Sequence, residues 1–434
     1  MNNIQDCYGI NENGHLTIGG ADTVCLAEKY GTPLYVLDEN KIRRQCAIYR
    51  DAIKKHFPEG SMPFYASKAL SFVDIYKIVK SENIGIDIVS PGELYTAISA
   101  GFDVSNACFH GNNKTDADIE YGITSGVGYF VADSREEVEA IDRIAKKLGK
   151  TQKILLRITP GIDPHTLKAI STGRVDSKFG TPLIEGKAEE ITSFALSKGN
   201  AILCGFHCHI GSQIFETAPF IDAATVMISF LSDMKDKFGF EAEVLNLGGG
   251  FAVKYTAEQG EVNISEYIGE IAKNVTNLCE KYSVKMPKIF MEPGRSIVAA
   301  AGITLYTVGT RKEIPGFKNY ISIDGGMPDN PRYALYQSPY TVVCANRANA
   351  PADYKATVCG RCCESGDLIA EDIKVQKMDR GDTLAVLVTG AYNYSMASNY
   401  NRIPRPPIVI VKDGDDRLSV RRESFEDLIK NEVL

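Results

Sequence analysis

The 434-residue chain is 44% hydrophobic and 24% charged, ordinary values for a soluble globular protein, and its length favours two unequal domains over one core. A formal net charge of −7 offers no basic footprint for nucleic acid or an anionic membrane. No apolar run reaches the roughly 18 residues needed to span a bilayer.

The stretch Met1–Tyr8 has neither a basic segment nor an apolar one, so export is not expected. Eleven cysteines, an odd number, then read as reduced thiols of a cytoplasmic protein rather than a disulfide framework. The first 36 residues are short and strand-like, with Pro33–Leu37 resembling a strand.

From about Asn40 to Gly294, apolar runs alternate with amphipathic stretches. The runs Pro63–Ala66, Ile84–Val89, Ala107–His110, Gly128–Ala132, Ile154–Ile158, Leu203–His209, Val244–Leu247 and Ile289–Met291 read as strands. Between them lie helical patterns such as Ser134–Leu148 and Pro219–Lys237, with apolar residues three and four apart. Strand-like and helix-like runs in strict alternation point to an α/β chain with a (β/α)₈ TIM-like barrel over residues 37–300.

After Gly302 the texture changes. Thr304–Val308, Tyr320–Ile323, Thr341–Ala345, Ala356–Cys359, Thr383–Thr389 and Ile408–Val411 are rich in β-branched residues and separated by Gly, Pro, Asn and Asp. A mainly β domain built from residues 1–36 and 301–434 is expected.

Barrel enzymes place their chemistry at the C-terminal ends of the strands. Lys68 follows the first run, His209 and Ser212 end the sixth, Gly248-Gly249-Gly250 follows the seventh and Glu292-Pro293-Gly294-Arg295 the eighth. Each alone has a bland reading: a surface lysine, a tight turn, a solvated ion pair. Together they supply an amine for an aldehyde, glycine N–H groups with Ser212 and Arg295 for a phosphate, and a carboxylate for a ring nitrogen. That is the set a pyridoxal 5′-phosphate site needs, because an acid against the pyridine nitrogen keeps it protonated and electron-withdrawing. Cys204, His207, Cys208 and His209 crowd one run, but strand alternation would separate neighbours and no second ligand cluster exists, so no metal is expected.

With Asp87–Glu93 and Ser177–Gly180, these segments make the chain resemble the fold-type III pyridoxal-phosphate enzymes, which include alanine racemase and the basic amino-acid decarboxylases. The resemblance runs from Tyr65 to Asn401. It implies that Lys68 forms a Schiff base with the cofactor, that His209 stacks on its ring and that Glu292 pairs with the ring nitrogen. Ser212, Gly249, Gly250, Gly294, Arg295 and Tyr392 would complete the cofactor site. Alanine racemases carry an arginine at the ring nitrogen, so Glu292 favours decarboxylation.

The stretch Cys362-Cys363-Glu364-Ser365-Gly366-Asp367 resembles the Cys-Glu-Ser-Gly-Asp signature of diaminopimelate decarboxylases. By that resemblance Cys363 returns a proton to the substrate carbon and Glu364 faces the distal ammonium; Cys362 reads as a small buried residue. Arg295, Arg332, Tyr336 and Tyr392 match substrate positions. A substrate with carboxylates at both ends needs an arginine for the end that survives, whereas ornithine and lysine have no distal carboxylate.

The expected reaction is conversion of meso-2,6-diaminopimelate to L-lysine and carbon dioxide. Rival readings are decarboxylation of ornithine, arginine or carboxynorspermidine, a racemase of the same fold, and a cofactor carrier without turnover. The resemblance also implies a homodimer with shared active sites, in which the Cys363 loop of one subunit covers Lys68 of its neighbour.

Overall fold

The computed structural model describes residues 5–162 and 176–433. All eight barrel runs are strands: Met62–Ala66, Gly85–Ile88, Ala107–Phe109, Tyr129–Ala132, Gln152–Thr159, Ala201–His207, Val244–Asn246 and Lys288–Met291. Every neighbouring pair is parallel, and Phe290 pairs with Met62, so the eighth strand meets the first and the sheet closes. Helices follow the first seven strands, at Val73–Ser81, Pro91–Ser99, Asp116–Ser125, Arg135–Lys147, Lys187–Leu196, Ala218–Phe238 and Ile264–Lys281. Arg135–Lys147 shows why the periodicity was readable: Val138, Ile141, Ile144 and Ala145 are buried on one face, and the Ser134 hydroxyl caps the helix by accepting the Glu137 N–H.

Phe64, Cys108, Val131, Leu155, Cys204, Val244 and Phe290 pack together as a buried plug contributed by seven of the eight strands. Each large side chain in it contributes about 1.5–3 kcal/mol of hydrophobic stabilisation. Polar side chains are displaced beyond the plug, to the C-terminal ends of the strands. His207 and Asn246 end the sixth and seventh strands, while Lys68, His110 and Glu292 lie just past the first, third and eighth.

A second compact unit comprises residues 1–44, 253–260 and 295–434, leaving 45–252 and 261–294 to the barrel unit. These bounds differ from the expected breaks at 37 and 300, for visible reasons. Glu39, at the start of a helix, takes Arg417 at 2.5 Å and Lys412 at 3.6 Å, and Tyr255 takes Arg295 at 2.8 Å. The sheet of this unit runs Leu368–Val375, Tyr354–Cys359, Lys318–Ile323, Gly302–Ile314, Leu34–Asp38, Ile408–Lys412, Asp415–Val420. Leu34–Asp38 is therefore the strand expected near Pro33–Leu37, set between Gly302–Ile314 and Ile408–Lys412.

Candidate active site

Within the barrel unit the strand-end polar groups converge on Glu292, which is buried. Asn246 Nδ2 donates to its Oε1 at 2.6 Å, and His207 Nε2 lies 3.0 Å from Oε2. His110 Nε2 stands 2.7 Å from Oε1 but off hydrogen-bond alignment, and 3.8 Å from the buried Asp87 carboxylate. Burial by itself would raise the Glu292 carboxyl, but the His110 and His207 imidazoles more than offset it and hold it well below the ordinary range. Burial pushes His207 down to about 4, so its ring is neutral and carries its proton on Nε2, towards the carboxylate.

Asn246 also ties the acid to the glycine turn, because its Oδ1 accepts the Gly248 N–H at 2.9 Å. In that turn a Cβ on Gly249 would lie 2.1 Å from the Glu292 carbonyl oxygen, and Gly250, at φ +123°, occupies backbone space closed to other residues. Gly250 O accepts the Ile214 N–H and Ile214 O accepts the Ala252 N–H, so the Ser212 loop lies against the turn. Gly249 N–H donates to His209 Nδ1 at 3.2 Å, leaving the imidazole proton on Nε2. Burial, with the Lys68 and Arg157 cations, pushes His209 well below its ordinary value, so it presents a neutral flat ring. Lys68 is exposed, in a single 3₁₀ turn capping the first strand, and Gly294 packs against Ala66 and Ala69 on either side of it.

The second unit holds a different cluster. Arg295 Nη1 donates to Tyr255 Oη at 2.8 Å, and its guanidinium lies 4.7 Å from the Tyr392 ring. Arg332 is buried. It donates to Tyr340 Oη at 2.9 Å and Ser338 Oγ at 3.1 Å, and lies 4.8 Å from the Tyr255 ring. Burial opposes ionisation of Tyr255, yet the Arg295 and Arg332 cations bring its hydroxyl below the ordinary phenol value. Among the described residues Arg332 meets hydroxyls and ring faces, not a carboxylate. Tyr336, at the end of the same short helix, is half-exposed, and Tyr340 takes the place beside the guanidinium.

In the same unit the Cys362–Asp367 turn is pinned by Asp367, whose carboxylate accepts the Met327 and Cys362 N–H groups at 2.6 and 2.8 Å. The turn projects Cys363 and Glu364 into solvent. Cys363 N–H donates to Asn401, and Glu364 accepts the Gly366 N–H at 3.2 Å. Burial and the Asp367 carboxylate raise the Cys362 thiol to about 12.

The donor set fits pyridoxal phosphate: an amine at the strand ends, a neutral imidazole face, a buried carboxylate held as an anion, and a glycine turn braced by the Ser212 loop. His110, His207 and Glu292 also bring their ligand atoms within 4.8 Å of one another. The 3.0 Å contact from His207 Nε2 has hydrogen-bond length to the carboxylate, and His110 Nε2 stands closer still, at 2.7 Å. A cavity of about 910 Å³ opens at the opposite end of the barrel, lined by Met62, Phe64, Tyr129 and Phe290, away from all these groups.

Sequence reasoning singled out neither His110, Asn246 and His207 as partners of Glu292 nor Tyr255, Ser338 and Tyr340 as partners of the arginines. The available signal was a polar residue closing an apolar barrel strand.

Residues 39–299 match the family model for the pyridoxal-binding domain of pyridoxal-dependent decarboxylases. Diaminopimelate decarboxylase from Bacillus methanolicus is 46% identical over 95% of this chain and 96% of its own length. The Bacillus subtilis enzyme of that name is 44% identical over 97% and 95%. The crystal structure of M. jannaschii diaminopimelate decarboxylase with L-lysine superposes with a TM-score of 0.91 at 35% identity, covering 99% of this chain and 98% of that one.

Proposed function

The chain belongs to the pyridoxal-dependent decarboxylases and, within them, to the diaminopimelate decarboxylases, and on that premise we propose the following division of labour. The reaction is decarboxylation of meso-2,6-diaminopimelate to L-lysine and carbon dioxide, with pyridoxal 5′-phosphate as cofactor. When bound, the cofactor supplies an electron sink for the pair released as carbon dioxide leaves.

Lys68 would hold the cofactor through its amine, which suits an aldehyde. His209 would offer the cofactor ring a neutral face, and Glu292 would hold the proton on its ring nitrogen. Ser212, Gly249, Gly250 and Gly294 would serve the cofactor's phosphate side, and the family resemblance assigns Arg295 and Tyr392 to the cofactor as well. Cys363 returns a proton to the substrate carbon. Its neighbour Cys362, with its thiol pushed up to about 12, is poorly suited to that transfer. Arg332, with Arg295, Tyr336 and Tyr392, receives the distal carboxylate, and Glu364 faces the distal ammonium.

The observation that carries the substrate assignment is Arg332: a buried cation whose partners are neutral hydroxyls needs an anion from elsewhere. Diaminopimelate has a carboxylate to spare after reaction, and ornithine, arginine and carboxynorspermidine are disfavoured on that ground. The test compares lysine formation from diaminopimelate with product formation from ornithine and arginine. Equal or better turnover of ornithine would overturn the assignment.

Solvent exposure of Cys363 and Glu364 supports a homodimer that shares its active sites, each loop facing the partner's cofactor. The cytoplasm is the proposed location. Among the described residues no helix is long and apolar enough to cross a membrane, and the eleven cysteines are free, which suits a reducing compartment.

A further inference from the structure

A buried acid facing a pyridine nitrogen creates a difficulty. In a water-poor site the proton they share is drawn towards the carboxylate, because two neutral groups are easier to bury than an ion pair. The electron sink requires the opposite outcome, with the proton on nitrogen.

The barrel unit contains a device that answers this. A carboxylate has about four acceptor positions. On Glu292, Oε1 takes the Asn246 N–H at 2.6 Å and is crowded by His110 Nε2 at 2.7 Å, whereas among the described residues Oε2 takes only His207 Nε2 at 3.0 Å. Oε2 is the oxygen with an acceptor position to spare. His207 is fully enclosed, and its Nδ1 has no partner among the described residues. A neutral ring with that environment donates from Nε2, which stabilises the charged form of Glu292. Asn246 is held in turn by the Gly248 N–H. Among the described residues, the other charged or titratable groups acting on this cluster include Asp87 beyond His110, Arg157 on the fifth strand, the Cys108 and Cys208 thiols, and Lys68 and His209 at the strand ends.

We propose that His207, with Asn246 and the close His110, is a positioning residue that keeps Glu292 a carboxylate with Oε2 towards the cofactor, so that the shared proton stays on the ring nitrogen. The proposal rests on the reading that Glu292 faces that nitrogen. His207 touches neither substrate nor cofactor in this role; it acts through the acid.

The test uses holoenzyme loaded with pyridoxal phosphate carrying ¹⁵N in its ring, followed by NMR from about pH 6 to 9, the range around an ordinary imidazole. Wild type should show a protonated ring nitrogen throughout. His207→Leu should show an unprotonated or shared nitrogen and a kcat lower by about 10- to 100-fold, the worth of one hydrogen bond to a charge. KM should stay within about three-fold, since substrate contacts are untouched. His207→Gln, which restores an N–H near Nε2, should recover ring protonation.

If Glu292→Gln abolishes ring protonation while His207→Leu keeps both protonation and kcat, the His207 role is wrong and the Glu292 reading stands. If Glu292→Gln leaves the nitrogen protonated, the Glu292 reading itself fails. Should His207→Leu not load cofactor, ¹⁵N-histidine spectra of the wild-type holoenzyme decide. A neutral His207 with its proton on Nε2 supports the proposal, and a cation or an Nδ1 proton overturns it.

Discussion

Replacing Arg332 by lysine keeps the charge and removes the fork, and the structure sets the size of the effect. A guanidinium has five N–H donors. Two of them go to Tyr340 Oη at 2.9 Å and Ser338 Oγ at 3.1 Å, and the plane is further fixed by the Tyr255 ring at 4.8 Å. With the Tyr255 hydroxyl also drawing on the guanidinium, at least two donors remain in a fixed plane, enough for bidentate contact with one carboxylate. A lysine ammonium is a point donor on a flexible stem and gives one such bond in place of two. Losing one charge-assisted hydrogen bond costs about 1.5–3 kcal/mol, or about 10- to 150-fold in KM for diaminopimelate. The distal carboxylate is remote from the bond that breaks, so kcat should change by less than about three-fold. The assay is steady-state carbon dioxide release, paired with a thermal melt. One internal hydrogen bond is also lost, a stability cost of about 1 kcal/mol. A folded variant whose KM rises by less than about three-fold would refute the placement of the distal carboxylate at Arg332.

Lys68→Ala should abolish the visible absorption of bound cofactor; a borohydride-fixed adduct on another lysine would contradict the assignment. Cys363→Ala should lower kcat by at least about 100-fold, as expected for loss of a general acid, while Cys362→Ala stays within about ten-fold, both read by carbon dioxide release. Mixing Lys68→Ala with Cys363→Ala chains under demonstrated subunit exchange should restore activity towards about a quarter of wild type, from one intact site in half of the dimers; zero recovery would exclude shared sites. Asp329 gives a pH prediction: burial raises its carboxyl to about 7, so the folded state binds an extra proton between the ordinary carboxylate range and about pH 7. Stability is lost as pH rises through that window, and Asp329→Asn should melt higher than wild type at about pH 8.5 but not at about pH 5. An equal difference at both pH values would point to packing instead.

The barrel was legible because its strands are buried on both faces and so read as unbroken apolar runs, bounded by helices with one apolar stripe. Two strands of the other sheet were not. Leu368–Val375 carries Glu371, Asp372 and Lys374, and Asp415–Val420 begins with two aspartates and an arginine. Both lie at the ends of the sheet order, where one edge is unpaired and charge is tolerated or favoured, so the apolar signal is diluted.

The candidate site divides along the same physical line. Lys68, Glu292, the glycines and the Cys363 turn stand in loops, where an unusual residue is conspicuous because nothing in packing demands it. His207 was set aside by strand alternation, which separates it from Cys208 but says nothing about partners on other strands. In a closed barrel the relevant neighbours of a strand end are the other strand ends, here His110, Asn246 and Glu292, drawn from positions 182 residues apart in the chain. Only the register of a closed sheet brings them together, and register is set by pairing across strands rather than by any local pattern. A polar residue closing an otherwise apolar barrel strand is thus a signal about the ring of strand ends taken as a set. Read that way, His110, His207 and Asn246 mark the mouth as clearly as Glu292 does, because burying any one of them without the others would cost more than the strand could return.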